Sequence, residues 1–284
     1  MSAGWEGLEA WERTLESAEA RIGLPLRRWM REGPAVELSR QRHAPHAVMA
    51  HSVAVYRAHR EAGMPLPVAA TGHSLGFFSA VVAAEVVDLE TVMELVTHVE
   101  DLCEAAFGAG THGMAFFIGL TELELRQALS GHPELALSNL NGQAQFTVSG
   151  PKDALEALAV AVAPKALKVG LLPVQHPMHG IHIVPLVPEL TRRMAAVTPR
   201  SPRFPVLSHT SGQLLTGAAE IWDEALVSAA QPVHWLRVVA GLKPLCASLC
   251  ECGHGQQLAN LTRWADRAMP IASLQDPASL RRWV

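Results

Sequence analysis

Apolar residues recur at helical spacing through the first sixty positions. Leu8, Trp11, Leu15, Ala18 and Ile22 fall three or four apart, which predicts a helix over 5–22. A shorter helix over 24–31 stops at Gly33-Pro34. A third, over 46–62, carries Val48, Ser52, Val55 and Tyr56 on or near one face. Pro65 and Pro67 close that connection. Residues 67–70 read as a short apolar strand, followed by a tight turn and a helix running to about residue 87. Its Ala80-Val81-Val82-Ala83-Ala84 run is small and apolar, as a buried helix is. A further helix over 89–106 has Val92, Leu95, Val96, Val99 and Leu102 as its apolar positions.

The pattern then changes. A strand over 114–119, a helix over 122–130, strands over 135–139 and 145–149 around an Asn141-Gly142 turn, an Ala-rich helix over 152–162 and a strand over 166–174 follow in order. This β-α-β-β-α-β order is ferredoxin-like and predicts a small subdomain inserted in a larger one. Beyond it come a helix over 187–194, a strand over 204–208, a Ser211-Gly212 turn, helices over 221–230 and 233–242, a strand over 247–252 and a helix from 256. Alternating strands and helices in both flanks predict a mostly parallel sheet covered on both faces. The expected fold is α/β, with an α/β-hydrolase-like core and a ferredoxin-like insertion. The core takes residues 1–112 and 180–284, and the insertion takes 113–179.

Composition narrows the function classes. The 284 residues are 49% hydrophobic and 18% charged, enough apolar surface for a sizeable core. The net charge of −4 gives no electrostatic case for a nucleic-acid partner. No apolar run reaches the roughly 18 residues of a membrane span. The stretch 1–19 is acidic and contains tryptophan, unlike a signal peptide, so a cytoplasmic location is expected. Cys246, Cys250 and Cys252 cluster near His254, but their spacing lacks the paired C-x-x-C of common zinc sites. They read as small apolar residues on a buried strand, and reduced thiols suit a cytosolic protein. No cofactor or metal requirement is indicated.

Gly72-His73-Ser74-Leu75-Gly76 is a G-x-S-x-G sequence between a predicted strand and a predicted helix. That context lifts a serine out on a strained corner. Side chains at both glycines are expected to collide with neighbouring backbone. The helix that follows aims its N-terminus at the serine and favours an oxyanion there.

This motif has company along the chain. Glu32-Gly33-Pro34, Ser52-Val53-Ala54-Val55-Tyr56-Arg57, Gly113-Met114-Ala115, Asn139-Leu140-Asn141 with Val148-Ser149-Gly150, Pro173-Val174 with Pro177-Met178-His179, Ser208-His209-Thr210-Ser211-Gly212, Pro232-Val233-His234-Trp235 and Glu251-Cys252-Gly253-His254-Gly255 follow in order. Together they resemble the malonyl-CoA:acyl-carrier-protein transacylase family, which includes the acyltransferase domains of polyketide and fatty-acid synthases. The resemblance runs from about residue 8 to about 262. It implies acyl transfer by a Ser–His pair. Ser74 attacks a thioester carbonyl, and His179 takes its proton and returns it to the leaving thiol. By alignment the main-chain carbonyl of Ser228 orients the histidine, and the amide of Leu75 supplies half of the oxyanion hole. The resemblance places Phe77, Val99, Asn141, His176 and Met178 around the acyl group. Of the 14 histidines, His73 beside the serine reads as a hydrogen bond tying the turn, and His43, His46, His51 and His59 as surface or groove residues.

The chain departs from the family in three places. Members that use malonyl carry an arginine where this sequence has Val99, and that arginine pairs with the free carboxylate. No Lys or Arg occurs from Glu61 to Leu125, and the adjacent His98 is mostly neutral at pH 7. An unpaired buried carboxylate costs several kcal/mol, so a neutral acyl group is expected. Malonyl use requires a base from elsewhere, such as Arg126 or Lys152. Phe77 stands where the family usually has Glu or Gln; it lines the pocket or packs behind it. Met1-Ser2-Ala3-Gly4-Trp5 supplies no Gly-Gln-Gly-x-Gln loop, whose glutamine completes the oxyanion hole in the family. Three functions stay open: an acyltransferase between CoA or phosphopantetheine thioesters, a hydrolase that strips acyl groups from carrier proteins, and a non-catalytic carrier-binding homologue. The implied partner is an acidic acyl carrier protein, which could meet Arg27, Arg28, Arg31, Arg40, Arg42, Arg192 and Arg193. Solvated helix faces are the plainer reading of these arginines.

Overall fold

The computed structural model describes residues 4–108 and 110–280; residues 1–3 of the Met1–Trp5 stretch lie outside them. Helix α1 (Glu9–Ile22) ends where Gly23 turns left-handed, with φ +70°. Helices α2 (Leu26–Glu32), α3 (Ala35–Leu38) and α4 (Ala44–Glu61) follow, then α5 (Leu75–Ala83) and α6 (Leu89–Phe107). Asp88 caps α6, its carboxylate accepting the Thr91 N–H at 2.8 Å. The predicted apolar helix faces meet here. Trp11 and Leu15 of α1, Met49 and Val53 of α4, and Phe77 and Val81 of α5 are buried in one core.

The insertion forms a second core. Strand β1 (His112–Ile118), helix α7 (Glu122–Leu129), strands β2 (Ala136–Gly142) and β3 (Gln145–Pro151), helix α8 (Lys152–Val162) and strand β4 (Lys168–Leu171) give the sheet order β4-β1-β3-β2, each neighbour antiparallel. Phe117, Phe146, Leu155 and Leu158 fill the space between sheet and helices. The β2–β3 connection differs from expectation. Strand β2 runs on through Asn141 and Gly142, and the turn falls at Gln143-Ala144. The register slips between Leu140 and Gly142, and Asn141 is engaged by a partner from the other core, described below.

The rest of the chain comprises α9 (Val187–Arg193), β5 (Val206–Leu207), β6 (Leu214–Leu215), α10 (Ala218–Val227), a 3-10 turn over Ser228–Ala230, β7 (Val233–His234), α11 (Trp235–Leu242), β8 (Leu249–Cys252), α12 (Gln257–Ala265), β9 (Ile271–Leu274) and α13 (Pro277–Leu280). Residues 233 and 234, expected to open a helix, form a strand instead. They pair in parallel with Asn139 and Leu140 of β2, adding a fifth strand to the small sheet. The helix starts one residue later, at Trp235.

Parallel pairing in the large part comes in short pieces. Ala70 bridges Val206, donating to Pro205 at 3.0 Å and accepting from Leu207 at 2.8 Å. Strands β8 and β9 pair in parallel over four residues. Pro67 has no N–H to extend the pairing at Ala70, and the chain turns away at Gly72. On β8 the cysteine expectation is corrected. Cys250 is exposed and Cys252 half-buried, whereas Glu251 points inward. Its carboxylate accepts the N–H groups of Leu258 and Ala259 at 2.8 and 3.2 Å and the Ser273 hydroxyl at 2.5 Å. Period-two alternation gave that face to the residue that caps α12, which leaves the cysteines on the other face.

Candidate active site

The corner at Ser74 is strained and tightly determined. Ser74 holds φ +52° and ψ −116°, outside the regions that non-glycine residues favour. A Cβ at Gly72 would stand 2.0 Å from the Gly76 carbonyl carbon and 2.5 Å from the Phe77 nitrogen, so only glycine fits. Gly76 is different. A Cβ there meets nothing within 4 Å, which corrects the expectation that both glycines avoid collisions. Leu75 is the first residue of α5, so its N–H has no partner inside the helix. The helix dipole adds to that donor.

His179 meets Ser74. Its Nε2 lies 2.5 Å from Ser74 Oγ. Its Nδ1–H donates to two main-chain carbonyls, Ser228 and Gln231, each at 3.0 Å. The 3-10 turn over Ser228–Ala230 presents the first of these, and Ala229 also accepts the His179 backbone N–H at 2.7 Å. Two acceptors on Nδ1 fix the tautomer and leave Nε2 as the lone pair facing the serine hydroxyl. Burial pulls the His179 pKa down to about 4, and the nearby His73 adds to the shift against the two carbonyl bonds. The imidazole is therefore neutral and ready to accept a proton at neutral pH. Gln231 was not singled out in the sequence; its carbonyl carries no side-chain signature.

His209 is the other residue that sequence reasoning missed. It is fully buried, and its Nδ1 accepts the Ser74 backbone N–H at 3.1 Å. Its ring stacks on Phe77, with centroids 4.6 Å apart, and stands edge-on to His179 at 6.1 Å. Burial, followed by His179 and His73, holds it neutral, well below the usual histidine range. It braces the strained corner from behind. One histidine among fourteen in a turn motif gave no signal of this.

The remaining expected residues divide. His73 does tie the corner, its Nε2 bonding Asn141 Oδ1 at 2.7 Å and linking the elbow to β2. Phe77 is wholly buried and stacks on His209, so it packs behind the elbow, one of the two places the sequence left open for it. Val99 is apolar and buried, and Met178 is half-buried against the same core. His176 is buried, with Nε2 3.3 Å from the Glu100 carboxylate. Arg126 is exposed and paired with Glu122 of α7 at 2.7 Å, so it does not reach the site. Among the described residues no group of three or more His, Cys, Asp or Glu is placed to hold a metal. No helix there is long and apolar enough to cross a membrane. Of the seven surface arginines, Arg27, Arg31, Arg40, Arg42, Arg192 and Arg193 all face carboxylates, so ordinary solvated ion pairs account for them.

The sequence and the fold have counterparts among known proteins. The family model described as acyl transferase domain matches residues 8–254. A malonyl CoA-acyl carrier protein transacylase of Salmonella typhimurium is 30% identical over 274 residues, covering 95% of this chain and 89% of that protein. Among solved structures, an acyl-carrier-protein S-malonyltransferase from Burkholderia pseudomallei superposes with a TM-score of 0.92 at 28% identity, covering 98% of this chain and 92% of that one. A malonyl-transacylase in complex with its type II polyketide synthase acyl-carrier protein gives 0.90 at 28% identity, covering 96% and 90%.

Proposed function

The chain belongs to the acyl transferase domain family, among acyltransferases of the malonyl-CoA:acyl-carrier-protein transacylase type, and on that premise we propose that it moves a neutral acyl group, not malonyl, through an ester on Ser74. The single observation behind the mechanism is the 2.5 Å contact between Ser74 Oγ and a His179 whose other nitrogen is held by two carbonyls. The Oγ–H bond breaks as Oγ adds to the thioester carbonyl, and the proton passes to His179 Nε2. The developing oxyanion turns toward the Leu75 N–H. The C–S bond then breaks, and the proton leaves with the thiolate as free thiol. A second thiol, carried by phosphopantetheine, reverses these steps and takes the acyl group away. The complex of a similar malonyl-transacylase with its acyl-carrier protein supports such a protein as the proposed acceptor here. No cofactor is required by this scheme.

The neutral substrate rests on Val99. A malonyl carboxylate brought to this apolar, buried position finds no Lys or Arg from the stretch 61–125, and desolvating it unpaired costs several kcal/mol.

Intact-protein mass spectrometry after mixing with acetyl, longer acyl and malonyl thioesters tests the reading. Neutral acyl adducts that disappear in Ser74→Ala and discharge onto a carrier protein are the expected result. Free acid accumulating without an adduct indicates the hydrolase instead. Val99→Arg is expected to raise malonyl loading relative to acetyl at least tenfold; an unchanged ratio would argue against the pairing of Val99 with the family's arginine.

A further inference from the structure

Helices α1, α4 and the C-terminal end of α5 enclose a cleft of about 510 Å³ that the acyl-transfer scheme leaves unused. That volume suits a small molecule. Arg13, Arg57, Arg60 and Arg203 line the cleft, against two carboxylates, Glu61 and Glu85. Both carboxylates are already engaged. Glu61 accepts the Ala10 N–H at 3.0 Å, in the first turn of α1, and lies 3.4 Å from Arg13. Glu85 pairs with Arg203 at 3.0 Å. Among the described residues Arg57 and Arg60 have no ion pair. Arg57 donates to the Thr14 hydroxyl at 3.2 Å. It is exposed, yet the cleft walls desolvate its guanidinium enough to lower its pKa. Two cations in this cleft therefore lack a counter-charge.

Arg57 and Arg60 stand three apart on α4, so they share a helix face. Tyr56, the one tyrosine of the chain, precedes them and is half-buried. Burial raises the pKa of its phenol, and Arg60 and Arg203 pull against that rise, so the phenol stands in the field of both arginines. It makes no hydrogen bond among the described residues. One guanidinium fork satisfies both oxygens of a carboxylate. Two forks and a phenol suit the larger set of acceptor oxygens on a phosphoryl group. The cleft is wider than such a group, and Val82, Ala83 and the Tyr56 ring give it apolar surface.

We infer that this cleft binds a phosphorylated metabolite of nucleotide size, its terminal phosphoryl group held by Arg57, Arg60 and the Tyr56 hydroxyl. The site is separate from Ser74. The nine residues of α5 lie between them, roughly 13 Å of helix, so the inference does not depend on the acyl-serine reading. The C-terminal dipole of α5 opposes an anion. Two carbonyls there are already met: Ala84 accepts the Arg203 N–H at 2.9 Å, and Glu85 accepts from the Arg200 side chain at 3.2 Å.

Titration calorimetry with ADP as the probe tests this. The wild-type protein is expected to show one saturable site that weakens as salt is added and that inorganic phosphate competes for. Adenosine, which carries no charge, is expected to bind at least tenfold more weakly, as is ADP to Arg57→Gln or Arg60→Gln, because each loses charged hydrogen bonds. Arg60 makes no side-chain hydrogen bond in the fold, so Arg60→Gln carries the test even where Arg57→Gln, cut off from Thr14, folds poorly. Arg28→Gln, at an exposed position outside the cleft, changes the net charge equally and is expected to leave the affinity unchanged. Ser74→Ala is expected to bind ADP as the wild type does. Absence of saturable ADP binding overturns the inference. So does adenosine binding as tightly as ADP, or an affinity unmoved in both cleft variants. ADP binding that is lost in Ser74→Ala, or blocked by an acyl group on Ser74, places the nucleotide at the serine and overturns it as well. None of these results bears on whether Ser74 carries the acyl group.

Discussion

Gly72 and Gly76 occupy matching places in the motif and opposite places in the fold. The first is wedged against the helix backbone, and the second faces open space. Gly76→Ala is therefore expected to fold and load normally, within about 0.5 kcal/mol of the parent. Gly72→Ala should lose about 3 kcal/mol, seen as a lower denaturant midpoint. The same scale governs the pH profile. In the proposed mechanism His179 must be neutral to accept the serine proton, and burial pulls its pKa down to about 4. Acylation rate is expected to hold from pH 7 to about 5 and to fall below that with an apparent pKa near 4; a limb centred near 6.5 would speak against His179 as the base. Ser74 and His179 were legible because a motif and a resemblance mark them. Gln231 and His209 were not. One acts through a main-chain carbonyl and the other through a ring that the fold brings 135 positions back along the chain.

At the scale of elements, most helices were legible from periodicity, and the exceptions have physical causes. Strand β7 is two residues long, too short for any alternation to show. It exists because β2 offers it a partner edge. The cysteine-bearing strand β8 was placed correctly, but its inward face was misassigned, since a capping carboxylate outranked two thiols. Glu251→Ala should accordingly cost about 1–3 kcal/mol by leaving the Leu258 and Ala259 N–H groups unmet. The loss should appear as a lower melting temperature, and faster amide exchange at those two positions would localise it. Cys250→Ala, at an exposed position, should leave both unchanged.

Over the whole molecule, buried histidines make folding depend on pH. Burial, which also overturns the surface or groove reading of His51, holds His51 and His179 at about 4 and His209 well below the usual histidine range, against about 6.5 in an unfolded chain. Between those values the unfolded state binds protons that the folded state refuses. Stability therefore falls as pH drops from 6.5 toward 4, by up to about 1.4 kcal/mol per pH unit for each such histidine. Melting temperatures taken from pH 7.5 to 5 should decline; a flat series would contradict the burial argument. The small antiparallel sheet was legible from its strand and helix runs, but its joint to the rest of the chain was not. The small sheet ends on β7, and β7 follows directly on the turn whose Ser228 and Gln231 carbonyls hold His179. A load applied to that sheet is thus delivered to the His179 imidazole along two to five residues of chain. A carrier protein leaning on the small sheet would therefore have a lever on the His179 ring, and through Asn141 of the same sheet on His73 beside the serine.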